Sequence, residues 1–322
     1  MRIEIHNEIN EKLAAIWKQL EDESVLSIFQ KFEWIKDWVD CVLTESQDNS
    51  VFVAVVYDEN ESVSIIFPLC VRRFLGINVL VFLGGGISDY HLPLVSARFG
   101  TNVDKVRKAW ILLQHFLPKV DAIHLEKIPE RVGARNVTLI DAIPVVKQGE
   151  AFSMTLPRSI AEFEEKLKKR IKQDSNRQIK RLTEIGEVCF ITPQVGSAEF
   201  DTILNAFIDQ KRARYSMTGV PDLLANDGVQ CFYRLKGDSL VDSDCIHLSA
   251  LKVGGTIVAA HWGAVENKTF FYLMPSYTQG ELRKYSPGRL LLIELIKNAI
   301  GLGMERFDFT VGGEEYKKDW CD

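Results

Sequence analysis

Apolar residues run in short blocks over 51–57, 63–72 and 77–83, and this pattern predicts three strands, the first two joined at Asp58-Glu59-Asn60. Ahead of them, residues 8–20 predict one helix, and the recurrence of Phe29, Trp34, Trp38 and Val42 predicts a second over 27–42. The third strand ends in Gly84-Gly85-Gly86. A helix capped by Thr101 or Asn102 then extends to about 116, followed by a strand over 121–127. The stretch 133–149, containing Pro144, has no period and marks a junction.

A second unit begins with an apolar segment over 152–156. A long charged helix follows over 159–185, with an expected break near Asp174-Ser175 and Gly186 as its C-terminal cap. Further on, the pattern predicts a strand over 188–192, helices over 198–215 and 222–236, and strands over 245–253 and 256–265. Gly254-Gly255 joins the last two and tolerates the positive φ of a tight hairpin. A strand over 269–275, a helix over 287–302 and a strand over 305–310 complete the chain.

Both halves share one order: hairpin, third strand, helix, further strand. This agreement predicts a tandem duplication of an α/β (α+β) module, each copy a mixed central sheet flanked by helices, with domains over 1–150 and 151–322. A length of 322 residues suits two such cores.

Charge and cysteine content narrow the function. With 44 acidic against 39 basic residues the net charge is −5, which gives DNA no claim as a partner. Six scattered cysteines form no CxxC pair, so no zinc or redox motif is expected, and a reduced, cytoplasmic setting is the simplest reading. The charged N-terminus does not read as a signal peptide, and no apolar run approaches the ~20 residues of a membrane helix.

The candidate chemistry lies at the end of the chain. In Tyr285-Ser286-Pro287-Gly288-Arg289-Leu290, Ser286 is a favoured N-cap and Pro287 suits the first helical position, while Gly288 lets a ligand approach the backbone. Such a helix start offers unpaired N–H groups and a positive dipole end to a pyrophosphate, and an ordinary capped helix satisfies the same pattern. In the final strand Phe307 and Phe309 share one face, Asp308 and Thr310 the other. Asp308 reads either as a hydrogen-bonded structural carboxylate or as a functional one. Tyr316 and Lys317 follow Gly312-Gly313, where a phenol can give a proton to a departing thiolate or simply pack. His261, in AAHWGA, reads first as a core histidine. The stretch 158–181 holds nine basic and four acidic residues, a solvated face or a seat for a phosphate-bearing acceptor.

Several motifs together resemble a known family. They are FEW–W (32–38), IIFPLCVRR (65–73), SDYHLPLV (88–95), RQIKRL (177–182), LSALKVGGTIVAAHWG (248–263), YSPGRLLL (285–292) and FDFTVGGEEYKKDW (307–320). The C-terminal half is similar to GNAT-fold acyltransferases, and the whole chain resembles the CelD/BcsL-like tandem GNAT family of exopolysaccharide synthesis. The resemblance implies acetyl-CoA as cosubstrate and no metal. It implies a cofactor site at Tyr285, Ser286, Gly288, Arg289 and Leu290, between splayed strands over 269–275 and 305–310. It further implies Tyr316 as acid, Asp308 or else His261 as base, and Asp89, Tyr90, His91 and Lys317 as contacts to a small-molecule or glycan acceptor. The first module has no SPGR equivalent and is not expected to bind CoA. GNAT modules usually continue past the second splayed strand with a helix and a closing hairpin, whereas this sequence stops at Asp322, so the last strands are expected to be truncated, dispensable or supplied elsewhere. Two rival classes remain: a Fem-type transferase using aminoacyl-tRNA, and a non-catalytic scaffold of the same fold.

Overall fold

The computed structural model describes residues 1–24, 26–45, 49–100, 102–132, 135–234 and 245–321, in two compact units, Met1–Glu150 and Ala151–Asp322.

In the first unit, β1 (Arg2–His6), β2 (Ser50–Tyr57), β3 (Val63–Phe74) and β4 (Ile77–Phe82) form an antiparallel meander. A short β5 (Leu94–Val95) pairs with β3, and β6 (Ala122–Ile123) lies parallel to β4. Helices α1 (Glu11–Glu23), α2 (Phe32–Trp38) and α3 (Val103–Gln114) accompany the sheet; a small ladder of β7 (Arg131–Val132) and β8 (Arg135–Asn136) and a short α4 (Thr138–Ala142) complete the unit. Phe52, Ile65, Phe67 and Leu80 pack against Val106, Trp110 and Leu113 of α3.

The second unit carries β9 (Ala151–Thr155), α5 (Ile160–Lys166), α6 (Lys169–Thr183), β10 (Val188–Ile191), α7 (Ala198–Thr218) and α8 (Asp227–Arg234). It continues with β11 (Ile246–Val253), β12 (Thr256–Glu266), β13 (Thr269–Tyr277), α9 (Pro287–Gly301) and β14 (Arg306–Val311). Its sheet order is β10-β11-β12-β13-β14-β9, with β13 and β14 parallel. Hairpin, third strand, crossover helix and parallel strand therefore recur in both units, each a mixed sheet flanked by helices. The outer edge of β14 is paired antiparallel with β9, from Arg306↔Thr155 to Val311↔Ala151.

Several predicted boundaries are corrected. Helix α1 starts at Glu11, because the Asn10 side chain accepts from the Leu13 N–H at 3.0 Å. The helix expected over 27–42 is broken at Lys31 (ψ 140°), where the Phe32 N–H leaves the helical ladder for the Glu21 carboxylate, and it ends in a π turn, Val39–Leu43. The strand expected over 121–127 pairs only at Ala122 and Ile123. The long charged helix breaks at Leu167-Lys168, where Leu167 turns onto the core, and not at Asp174-Ser175. Asp174 sits inside α6, ion-paired with Arg177 and Arg289. Gly186 is not a left-handed cap: a Cβ there would meet the Gly254 Cα at 2.6 Å, so it permits a close backbone approach. Asn102 caps α3 through the Lys105 N–H at 3.0 Å, whereas Thr101 and the predicted end of α8 at 236 lie outside the described residues.

Candidate functional site

The site is built where two parallel strands separate. Strands β13 and β14 exchange only three register pairs, Thr269↔Arg306, Phe270↔Phe307 and Phe271↔Asp308, although both continue beyond them. A local cause is visible on each strand. On β14 the pairing with β9 shifts between Asp308 and Thr310, Thr310 adopts φ 58°, and its N–H donates to Asp308 Oδ1 at 2.8 Å. Such a bulge bends its strand and strengthens the local twist. The expected alternation of Asp308 and Thr310 on one face is thereby broken, and Asp308 holds the bend.

On the other strand, the β12–β13 register shifts between Trp262 and Ala264. Gly263 occupies the shift; a Cβ there would meet His261 Cε1 at 2.2 Å and the Phe271 carbonyl oxygen at 2.5 Å. Only glycine fits without movement. Aromatic rings floor the parting: Phe270 stacks on Phe307 at 4.9 Å, and Tyr272 meets Phe309 edge-on at 5.6 Å.

The start of α9 stands beside the far end of β13, since Gly288 lies against the Tyr277 ring, 3.1 Å from the position of a Cβ. Ser286 holds the N-cap position in a left-handed conformation (φ 55°, ψ 50°), and its side chain caps nothing. Its carbonyl accepts from the Arg289 and Leu290 N–H groups at 3.0 and 3.2 Å, Pro287 has no N–H, and the Gly288 N–H has no acceptor among the described residues. That donor and the positive dipole end fit an anionic group such as a diphosphate. Arg289 does not offer its charge freely, because it is paired with Asp174. Next to this turn, Arg181, Glu184, Ile185, Lys284 and Tyr285 line an open depression of about 470 Å³. In the first unit the matching helix start is closed by its Asn102 cap.

Beyond β14 the Glu315–Asp319 turn brings Tyr316 to the parting. Tyr316 is 40% exposed, and its hydroxyl is hydrogen-bonded to Tyr272, which is 5% exposed. Burial, and next the Glu314 charge, push the Tyr316 phenol up to about 12, and burial raises Tyr272 well above the usual phenol value. Of the two, Tyr272 is the less able to carry charge and is the donor of the bond. Lys317 is buried; its ammonium donates to the Val311 carbonyl and pairs with Glu314, both at 2.9 Å, which pins the turn to the strand end.

His261 is fully buried and stacks on Tyr272 at 4.7 Å with rings 6° apart. Neither ring nitrogen has a partner among the described residues, and burial holds its pKa well below the ordinary histidine value. It is a core histidine, closed off from solvent. Tyr272, Gly263 and Tyr277 were absent from the sequence-derived candidates. The FYL run signals only a buried strand, so nothing local singles out Tyr272.

The candidates of the first unit are held within that unit. Asp89 lies 3.7 Å from the Lys127 ammonium, and the buried Tyr90 packs edge-on against Phe29. His91 is buried, stacks on Phe82 at 5.6 Å and bonds the Glu126 carbonyl through Nδ1 at 3.1 Å. Burial, then the Lys127 charge, lower its pKa to about 4. A buried neutral histidine costs nothing above the unfolded value of about 6.5, and its penalty grows as pH falls from there toward 4. The His91 ring signal is therefore expected to titrate near pH 4 by NMR, with up to about 3 kcal/mol of stability lost across that window. A midpoint near 6.5 contradicts the packing described.

Residues 169–318 match the family model described as an acetyltransferase (GNAT) domain. The match lies within the second unit, which resembles that domain over those residues. The whole chain has the fold of tandem GNAT-like modules, and solved structures share that fold at low identity. FemX superposes with a TM-score of 0.62 at 10% identity, over 98% of this chain and 94% of its own. A conserved protein of unknown function from Bacteroides thetaiotaomicron gives 0.55 at 12% identity, over 99% and 95% of the two chains. L-PGS from Bacillus licheniformis gives 0.53 at 13%, over 96% of this chain and 78% of its own. No curated protein sequence matches. No group of three or more His, Cys, Asp or Glu is placed to hold a metal ion among the described residues. No helix of the chain is long and apolar enough to cross a membrane among those residues.

Proposed function

We propose that this chain is an acyl-CoA-dependent N- or O-acetyltransferase acting on a sugar or glycan precursor in polysaccharide assembly. The observation that carries the reading is the parting of β13 from β14 beside a helix start with no side-chain cap. The glycan acceptor rests on the CelD/BcsL-like motifs, chiefly YSPGRLLL and FDFTVGGEEYKKDW.

Bound acyl-CoA supplies an acyl group already activated as a thioester. The protein's part is positioning and proton management. The Gly288 N–H and the α9 dipole hold the diphosphate, with Tyr285, Ser286 and Leu290 shaping the turn. Backbone amides of β13 beyond Phe271, released from the β14 ladder, are the donors for a developing oxyanion. Tyr316 keeps its proton at neutral pH and gives it to the leaving thiolate, and the Tyr272 hydrogen bond steadies the phenolate that results. Asp308 is assigned the acceptor's proton, with one oxygen already held by the Thr310 amide. Lys317 keeps its acceptor-side assignment only as a support of its turn, given how it is bonded.

A Fem-type reading, with the acyl group delivered on tRNA, is favoured by the likeness to FemX over 98% of this chain. Calorimetry separates the two. Saturable heat on titration with acetyl-CoA supports the first, and absence of that heat with retention of charged tRNA supports the second. CoA binding without thiol release over a panel of amino sugars indicates a scaffold.

A further inference from the structure

We propose that the tip of the β3–β4 hairpin, residues 72–77, docks into the headgroup layer of an anionic phospholipid bilayer. The inference is independent of the transfer chemistry above. Phe74↔Ile77 is the last pair of the hairpin, and Leu75-Gly76 turns the chain with φ values of 48° and 86°. Two successive positive φ values define a turn that favours Asn, Asp or Gly at its first position and disfavours an aliphatic side chain. Leucine nevertheless occupies it.

The side chains there face solvent: Leu75 is 89% exposed, Phe74 64% and Ile77 44%. All six residues of the tip are exposed, Arg72 and Arg73 included, in a protein of net charge −5. A further exposed cation, Lys119, lies just before Asp121, whose N–H donates to the Asn78 carbonyl at 2.8 Å beside the hairpin.

The shape and charge of this patch select the partner. Protein interfaces seat apolar anchors within a broad patch of ~800 Å² per side, whereas this tip is one hairpin wide. A bilayer surface accepts a protruding ring and aliphatic chain at the acyl boundary while guanidinium groups stay with the phosphates. Anionic lipid attracts each such cation. One ring and two aliphatic side chains bury little apolar surface, so the attachment is peripheral and reversible.

Co-sedimentation with vesicles tests the proposal, one set of phosphatidylglycerol and phosphatidylcholine in equal parts and another of phosphatidylcholine alone. The full chain is expected to pellet with the first and far less with the second. Leu75→Asn supplies the residue the turn prefers, so its Tm is expected to equal or exceed that of the parent while binding weakens at least about tenfold. Phe74→Thr acts in the same direction. Arg72→Gln is expected to weaken binding about fivefold, on anionic vesicles only. A parent chain that stays in the supernatant with both vesicles overturns the proposal. So does a folded Leu75→Asn that binds as tightly as the parent, or self-association through the tip in sedimentation velocity without vesicle binding.

Discussion

Tyr316→Phe is expected to lower thiol release from acetyl-CoA by about 10²–10³-fold with little change in KM for acetyl-CoA, the signature of a lost proton donor. The phenol reaches the strand parting through its bond to Tyr272, so removing one oxygen leaves the ring packing in place. Its pKa of about 12 also fixes the pH response. A donor must be protonated to act, and an ordinary phenol loses its proton near pH 10. Activity is therefore expected to hold on the alkaline side through that value, until the protein itself unfolds. Tyr272→Phe removes the steadying bond and is expected to cost about tenfold in kcat, with the double variant no worse than Tyr316→Phe alone. An unchanged rate in Tyr316→Phe removes the phenol from the chemistry, and equal independent losses would uncouple the pair.

Gly288→Glu is expected to weaken acetyl-CoA binding by at least about 100-fold in calorimetry, with the helix intact. Two effects add. A Cβ at this position comes within 3.1 Å of the Tyr277 ring, so the ring must give by a few tenths of an ångström and crowds the turn, and a carboxylate then faces the diphosphate. The same negative charge at a helix start favours the helix, so Tm is expected to be unchanged or slightly raised. That separates lost binding from lost folding. Gly288→Ala carries the first effect without the second, and a loss as large as that of the glutamate variant would attribute the result to sterics alone.

The order of elements was readable in the sequence because each strand and helix from 245 onward carries its own apolar period and its own turn residues. Gly254 and Gly255 adopt the positive φ their pairing suggested, and Pro287 takes the first helical position. The parting was not readable in the same way. It depends on the left-handed backbone of Thr310, held by Asp308, and on the close approach that Gly263 allows to Phe271, and both are tertiary. Tyr272 was invisible for a related reason, since its partner is 44 positions away in the chain. Other misses were local. RIEIH at the N-terminus alternates as a strand should, and it pairs with β2 from Arg2↔Tyr57 onward. The apolar period over 27–42 conceals a break that only the Glu21 carboxylate, reaching the Phe32 amide, makes favourable.

What matters most is whether the amides opening α9 hold a diphosphate and so direct a thioester between the diverging strands. A crystal structure of the full chain with CoA reads this directly. The account predicts the diphosphate against the Gly288 amide, and the thiol sulfur in the parting of β13 from β14 beyond Phe271, within reach of the Tyr316 hydroxyl. CoA seated elsewhere, or a thiol pointing away from the gap, contradicts it.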